Sequence, residues 1–273
     1  MHGVSRRALP GFGLGLGYTM IYLSALVLAP LAACAFKAAS LSPSEFLAAV
    51  WSDRAQAAYL LTFGTSIVAA AVNVVLGTVV SWTLVRYDFP LKRLVDALVD
   101  VPLALPTAVA GLVYASLYVE NGWIGQFLVP MGIDVAYTRL GIVVVLVFTG
   151  FPFVVRTVQP VLAELDAEVE EAAAVLGGSR GQIFRRVLLP TLVPPALTGF
   201  ALAFARGLGE YGSVIFISSN MPFKTEIAPV LIVSRLEEFA YAEAAAIAVV
   251  LLVISFAMLI LINRLERWSQ RHG

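Results

Sequence analysis

Histidine, cysteine and lysine are nearly missing from this sequence of 273 residues. The two histidines, His2 and His272, stand at the extreme ends, so the interior offers none for acid-base chemistry, for activating a serine nucleophile or for holding a metal. The single cysteine, Cys34, excludes an internal disulfide and a multi-cysteine metal site. Lysine occurs only at Lys37, Lys92 and Lys224, after Phe36, Leu91 and Phe223. The Gly-Lys pair of a phosphate-cradling loop is therefore absent, and no catalytic or metal-ligating set suggests itself.

Charge is scarce too. Charged residues make up 13% of the chain and hydrophobic ones 60%, where soluble domains have about 25% and roughly 45 to 50%. Mean hydropathy is +0.89. Eighteen basic residues balance eighteen acidic ones, so any charge message lies in where they sit.

A bilayer core of about 30 Å takes roughly 20 apolar helical residues. Windows of that kind fall at residues 12 to 36, 59 to 84, 96 to 118, 138 to 159, 194 to 219 and 242 to 263. The expected fold is all-α and polytopic, with six transmembrane helices and a third one kinked by Pro102 and Pro106. With the N-terminus inside, the inner segments hold Arg6, Arg7, Arg86, Lys92, Arg93, Arg156, Arg180, Arg185, Arg186, Arg264, Arg267 and Arg271. The outer ones hold only Lys37, Arg54, Arg139, Lys224 and Arg235. This asymmetry places both termini in the cytoplasm. Arg6 and Arg7 before an apolar run imitate a secretory leader, but the run has the length of a span. The chain divides into an N-terminal part with the first span and first outer loop (1–58), a core of five spans (59–263) and a tail (264–273). Ser42-Pro43-Ser44-Glu45 predicts the start of a short helix in the first outer loop.

Residues 160–193 form the longest inner connection and read as two short helices. Leu162, Leu165, Val169, Ala172 or Ala173, and Leu176 recur at helical spacing beside the acidic Glu164, Asp166, Glu168, Glu170 and Glu171. Gly177 and Gly178 end the first helix, and Ser179 with Gln182 makes a capping box for the second, which is expected to stop at Pro190. Periodicity alone allows an idle surface hairpin or a docking element.

The residues resemble a known pattern. Glu171-Ala172-Ala173, Gly177 and Val187-Leu188-Leu189-Pro190 are similar to the EAA loop of ABC importer permeases. Asp100 to Gly111, Phe151 to Pro160 and Gly209-Glu210-Tyr211-Gly212-Ser213 extend the likeness to the T-type sulfate/thiosulfate permeases. That resemblance implies a type-I ABC importer permease in the bacterial inner membrane. It implies a heterodimer with a W-type sister permease, two ATPase subunits that carry ATP and Mg, and a periplasmic sulfate- or thiosulfate-binding protein. No cofactor is expected on this chain and no enzyme activity. Glu171, Ala172, Ala173, Gly177, Leu189 and Pro190 are the implied ATPase-coupling residues. The rivals are a molybdate or tungstate permease and an ion-coupled carrier.

Arg206 and Glu210, four residues apart in the fifth window, share a helix face and form either an intramembrane ion pair that sets packing or part of an anion pathway. Arg156 is expected to reach headgroups or the acidic helix after it, and Asn73 and Gln159 to hydrogen-bond between helices.

Overall fold

The computed structural model describes the backbone of residues 12–165 and 167–272, and the side chains of residues 12–165 and 168–265. His2, Arg6, Arg7, Asp166 and the side chains of Arg267, Arg271 and His272 lie outside the described residues.

All regular structure among the described residues is helical. Five helices are long and apolar enough to cross a membrane: α1 (Phe12–Ala38), α3 (Asp53–Arg86), α8 (Arg139–Glu164), α10 (Arg180–Leu208) and α13 (Tyr241–His272, apolar to Leu265). Between α1 and α3 lies α2 (Pro43–Val50), started as expected. The Ser42 hydroxyl accepts from the Glu45 backbone N–H, and the Ser42 N–H donates back to the Glu45 carboxylate at 2.8 Å. The Ser42 hydroxyl also donates to that carboxylate at 2.7 Å, and together with the Ser42 N–H it holds the Glu45 carboxyl below its usual range.

The third crossing departs from the expected kinked span. It is built from α4 (Lys92–Val99), α5 (Val101–Ala104) and α6 (Thr107–Tyr118). Pro106 forces Leu105 into extended backbone with ψ 129°, which breaks the helix outright. Alone, α6 covers about 18 Å, so this crossing needs all its pieces. The remaining helices are the outer α7 (Gly125–Leu128), the short α11 (Val214–Ile217) and α12 (Ala228–Glu237).

The fifth crossing differs more. The helix starts at Arg180, runs through Pro190, Pro194 and Pro195, and ends at Leu208. Pro190 does not stop it because a single π-turn, Phe184–Leu188, precedes it. The widened turn gives room where the proline ring would meet the carbonyl of residue 186. The same device recurs in α1, where a π-turn at Ser24–Leu28 precedes Pro30.

At the centre α8 packs against both α3 and α10. In membranes such contacts rest on close backbone approach, because lipid is as apolar as leucine. A Cβ at Gly77 would lie 2.7 Å from Val154 Cγ1, and one at Gly199 would lie 2.8 Å from the Val154 Cα. Val154, Val158, Leu162, Leu192 and Phe204 fill the rest of this junction. Gly199→Leu is expected to prevent accumulation of the chain in the membrane, checked by immunoblotting of membrane fractions; wild-type levels would contradict this packing.

Candidate functional site

Two places stand out: the cytoplasmic hairpin between α8 and α10, and the junction where two helices stop inside the membrane.

The hairpin begins with α9 (Ala167–Val175). Gly177 at φ 85° ends it, with Gly178 N–H donating to the Ala173 carbonyl at 3.1 Å and Gly177 N–H to that of Ala174 at 2.9 Å. This Schellman closure needs a residue that accepts the left-handed region. Ser179 then caps α10 through the expected capping box with Gln182. None of residues 168–187 is buried. Val175 and Leu176 are each 88% exposed, and Glu171, Ala172 and Gly177 are exposed beside them. Ala173 is half-buried and lines a groove with Leu176, Gly178, Ile183 and Val187.

The predicted apolar face is thus split. Leu162 belongs to α8 and is fully buried, and Leu165 packs on the central core, while Val169, Val175 and Leu176 stay outside. Leu189 and Pro190 are not brought to the groove. They lie within α10, Leu189 exposed and Pro190 half-buried. Adjacent acids have opposite settings: Glu171 is exposed, whereas Glu170 turns back and pairs with Arg86, in the last turn of α3. Consecutive helical residues diverge by about 100°, so only one of the two can face a partner.

Inside the membrane, Gly207 sits against Ser66, thirteen residues into α3, roughly 20 Å from its outer end. α10 therefore stops within the outer half of the apolar stretch of α3. The segment after it meets the start of α6: a Cβ at Gly111 would lie 2.3 Å from the Ser213 carbonyl oxygen, and one at Gly212 would lie 2.3 Å from Thr107 Oγ1. Arg206 and Glu210 do form an ion pair, Nη1 to Oε2 at 2.5 Å, yet they do not share one helix. Arg206 is in the last turn of α10, and Glu210 follows the cap Gly209. Glu210 Oε1 accepts from the Ser213 backbone N–H at 3.0 Å and from its hydroxyl at 2.7 Å. The Glu210 side chain is 1% exposed and that of Arg206 31%. A break in the membrane is tolerated where protein satisfies the freed backbone, and Glu210 does part of this.

Arg156 also has partners other than those expected. It grips Asp100 with Nε at 2.9 Å and Nη2 at 2.7 Å, and it donates to Asp96 and Gln159 from Nη1, each at 2.7 Å. The acids precede it in the chain and tie α8 to the broken third crossing. Replacing Arg156 by Met is expected to lower the melting temperature of the detergent-purified chain modestly, since these groups are part-exposed; an unchanged melting curve would show that the break holds without this staple. Asn73 is fully buried, and neither of its amide atoms has a hydrogen-bond partner among the described residues. Sequence reasoning missed the pairs Arg86 with Glu170 and Arg54 with Glu226, the latter at 2.7 Å. Partners 84 and 172 residues apart leave no local spacing to read.

Residues 73–271 match the family described as the binding-protein-dependent transport system inner membrane component. The chain is 49% identical over 268 residues to the sulfate transport system permease protein CysT of Salmonella typhimurium, covering 98% of this chain and 97% of the relative. It is 51% identical over 255 residues to the same-named protein of Synechocystis, covering 93% and 89%. Among solved structures, it resembles a bacterial ABC transporter involved in import of the acidic polysaccharide alginate, with a TM-score of 0.74 at 16% identity over 93% of this chain and 94% of that one. A bacterial alginate ABC transporter in complex with alginate pentasaccharide-bound periplasmic protein gives a TM-score of 0.73 at 18% identity, over 93% of each chain. The chain belongs to the binding-protein-dependent inner membrane component family. It is a multi-pass permease of the inner membrane, with the fold of an ABC importer permease, and not an enzyme.

Proposed function

Taking this family membership as the premise, we propose that the chain is the T-type permease subunit of an ATP-driven importer of sulfate and thiosulfate. The supporting observation is likeness to sulfate permeases along almost the whole chain, at 49% identity over 98% of it. The fold alone does not choose the substrate, because the alginate importer has it too. In this reading the chain pairs with a W-type sister permease. Two ATPase subunits, holding ATP and Mg, sit beneath, and a periplasmic sulfate- or thiosulfate-binding protein delivers the anion.

Glu171, Ala172, Ala173 and Gly177, with Val175 and Leu176, form the surface that enters a groove of the ATPase. Two alanines keep that surface smooth, and the exposed Glu171 supplies a charged hydrogen-bonding group. Leu189 and Pro190 serve by shaping the course of α10 just past its π-turn. ATP binding draws the two ATPases together, the hairpins follow, and the permease pair opens outward; hydrolysis resets it. At the break, Glu210 anchors the end of α10, and Arg206 offers its partly exposed guanidinium to the passing oxyanion. Pairing with Glu210 moderates that attraction, so that the anion can leave.

Proteoliposomes carrying the complete complex test the substrate. ATP hydrolysis is expected to rise with sulfate-loaded binding protein and to stay basal with a molybdate-loaded one. Stimulation by molybdate alone would establish the rival oxyanion.

A further inference from the structure

The hairpin poses a mechanical problem. Because none of residues 168–187 is buried, apolar packing does not fix its position, and directional contacts must. Two such contacts converge on one turn of α3. Arg86 pairs with Glu170 on α9, and its guanidinium carbon lies 5.6 Å from the centroid of the Trp82 ring. Trp82 in turn meets Phe184, at the π-turn of α10, edge to face with centroids 6.2 Å apart. One ion pair and one ring contact thus tie both arms of the hairpin to the inner end of α3. The Arg86 and Glu170 side chains are 21% and 28% exposed, so the pair is partly shielded from water, where it holds better than a surface pair. α3 reaches from there into the outer half of the span, where Ser66 packs against Gly207, next to Arg206.

We propose that Arg86, held between Glu170 and Trp82, is the positioning residue that makes the ATPase-facing hairpin and α3 move as one piece. This rests on the coupling reading above. Without Arg86 the hairpin still presents Glu171 and Ala172 to the ATPase, but its displacement is taken up by slack between α9 and α3.

The test uses the whole complex with Cys34→Ser and spin labels at Tyr87 and Val169, both exposed and both outside the docking surface. In the otherwise wild-type chain the distance distribution is expected to be narrow and the same with and without ATP. Arg86→Gln should broaden it, retain co-purification of the ATPase, and cut labelled-sulfate uptake about tenfold, within the usual range of coupling free energies. The exchange Arg86→Glu with Glu170→Arg should narrow the distribution again and restore uptake. A wild-type distribution in Arg86→Gln, loss of the ATPase from it, or failure of the exchange to restore would each overturn the proposal. The distance needs no substrate, so a complex that carries another anion still reports on Arg86. If the wild-type chain captures no ATPase, the coupling reading fails first, and this proposal falls with it.

Discussion

Glu171→Lys is expected to abolish capture of the ATPase while the chain inserts and accumulates normally. The residue is exposed on a helix with no buried side chain among the described residues 168–175, so its replacement disturbs no core. What it changes is the surface offered outward, where a negative group becomes positive beside Val175 and Leu176, each 88% exposed. Interface residues of this kind cost about 2 kcal/mol or more when lost, which is roughly 30-fold in affinity, and charge reversal adds repulsion. Gly177→Asp reaches the same end differently. Its φ of 85° costs an ordinary residue about 1 to 2 kcal/mol and turns the exposed tip of the hairpin away from its docking position. Affinity purification of tagged ATPase from membranes checks both variants. Wild-type recovery of the permease with either would remove the hairpin from the coupling surface.

Glu210→Ala is expected to do the opposite, damaging the chain itself. It leaves Arg206 without its partner and two Ser213 donors without their acceptor, at a place 1% exposed. Breaking a buried pair costs about 3 to 5 kcal/mol, and the low end applies because Arg206 keeps 31% of its side chain exposed. The expected results are a lowered melting temperature in detergent, reduced accumulation and no transport. Glu210→Gln keeps an acceptor for Ser213 and removes only the charge. It should recover most of the stability, yet bind anion too tightly or pair poorly with Arg206, and so transport slowly. Equal stability of Glu210→Ala and wild type would mean that the break is held by other contacts, such as Gly111 against Ser213.

These two sites also show what the sequence made legible. Crossings and orientation follow from apolar length and the placement of arginines, and short-range chemistry was readable at Ser42 with Glu45, Ser179 with Gln182, and Gly177, because capping depends on fixed offsets of three or four residues. The continuity of α10 past Pro190 and its far end were not legible. Pro190 carries the usual stop signal, and only a π-turn beside it lets the helix continue. At the far end, Val214 to Ile217 are apolar again after the helix has stopped, so the apolar window runs on across a break that tertiary contacts hold. Glu170 and Glu171 fall in one acidic remainder by sequence, since periodicity does not tell which of them faces the chain's own α3. Local spacing points Arg156 to headgroups or to the acidic helix after it, because its partners Asp96 and Asp100 come from another crossing.

Uptake of labelled sulfate into cells lacking this chain and any second sulfate importer, complemented by wild type or Glu171→Lys, is the most direct measurement. Wild type is expected to restore uptake that excess thiosulfate competes and excess molybdate does not, with Glu171→Lys present in the membrane but inactive. Sulfate uptake that persists without the chain, or full activity of Glu171→Lys, would contradict an ATP-coupled sulfate permease driven through this hairpin.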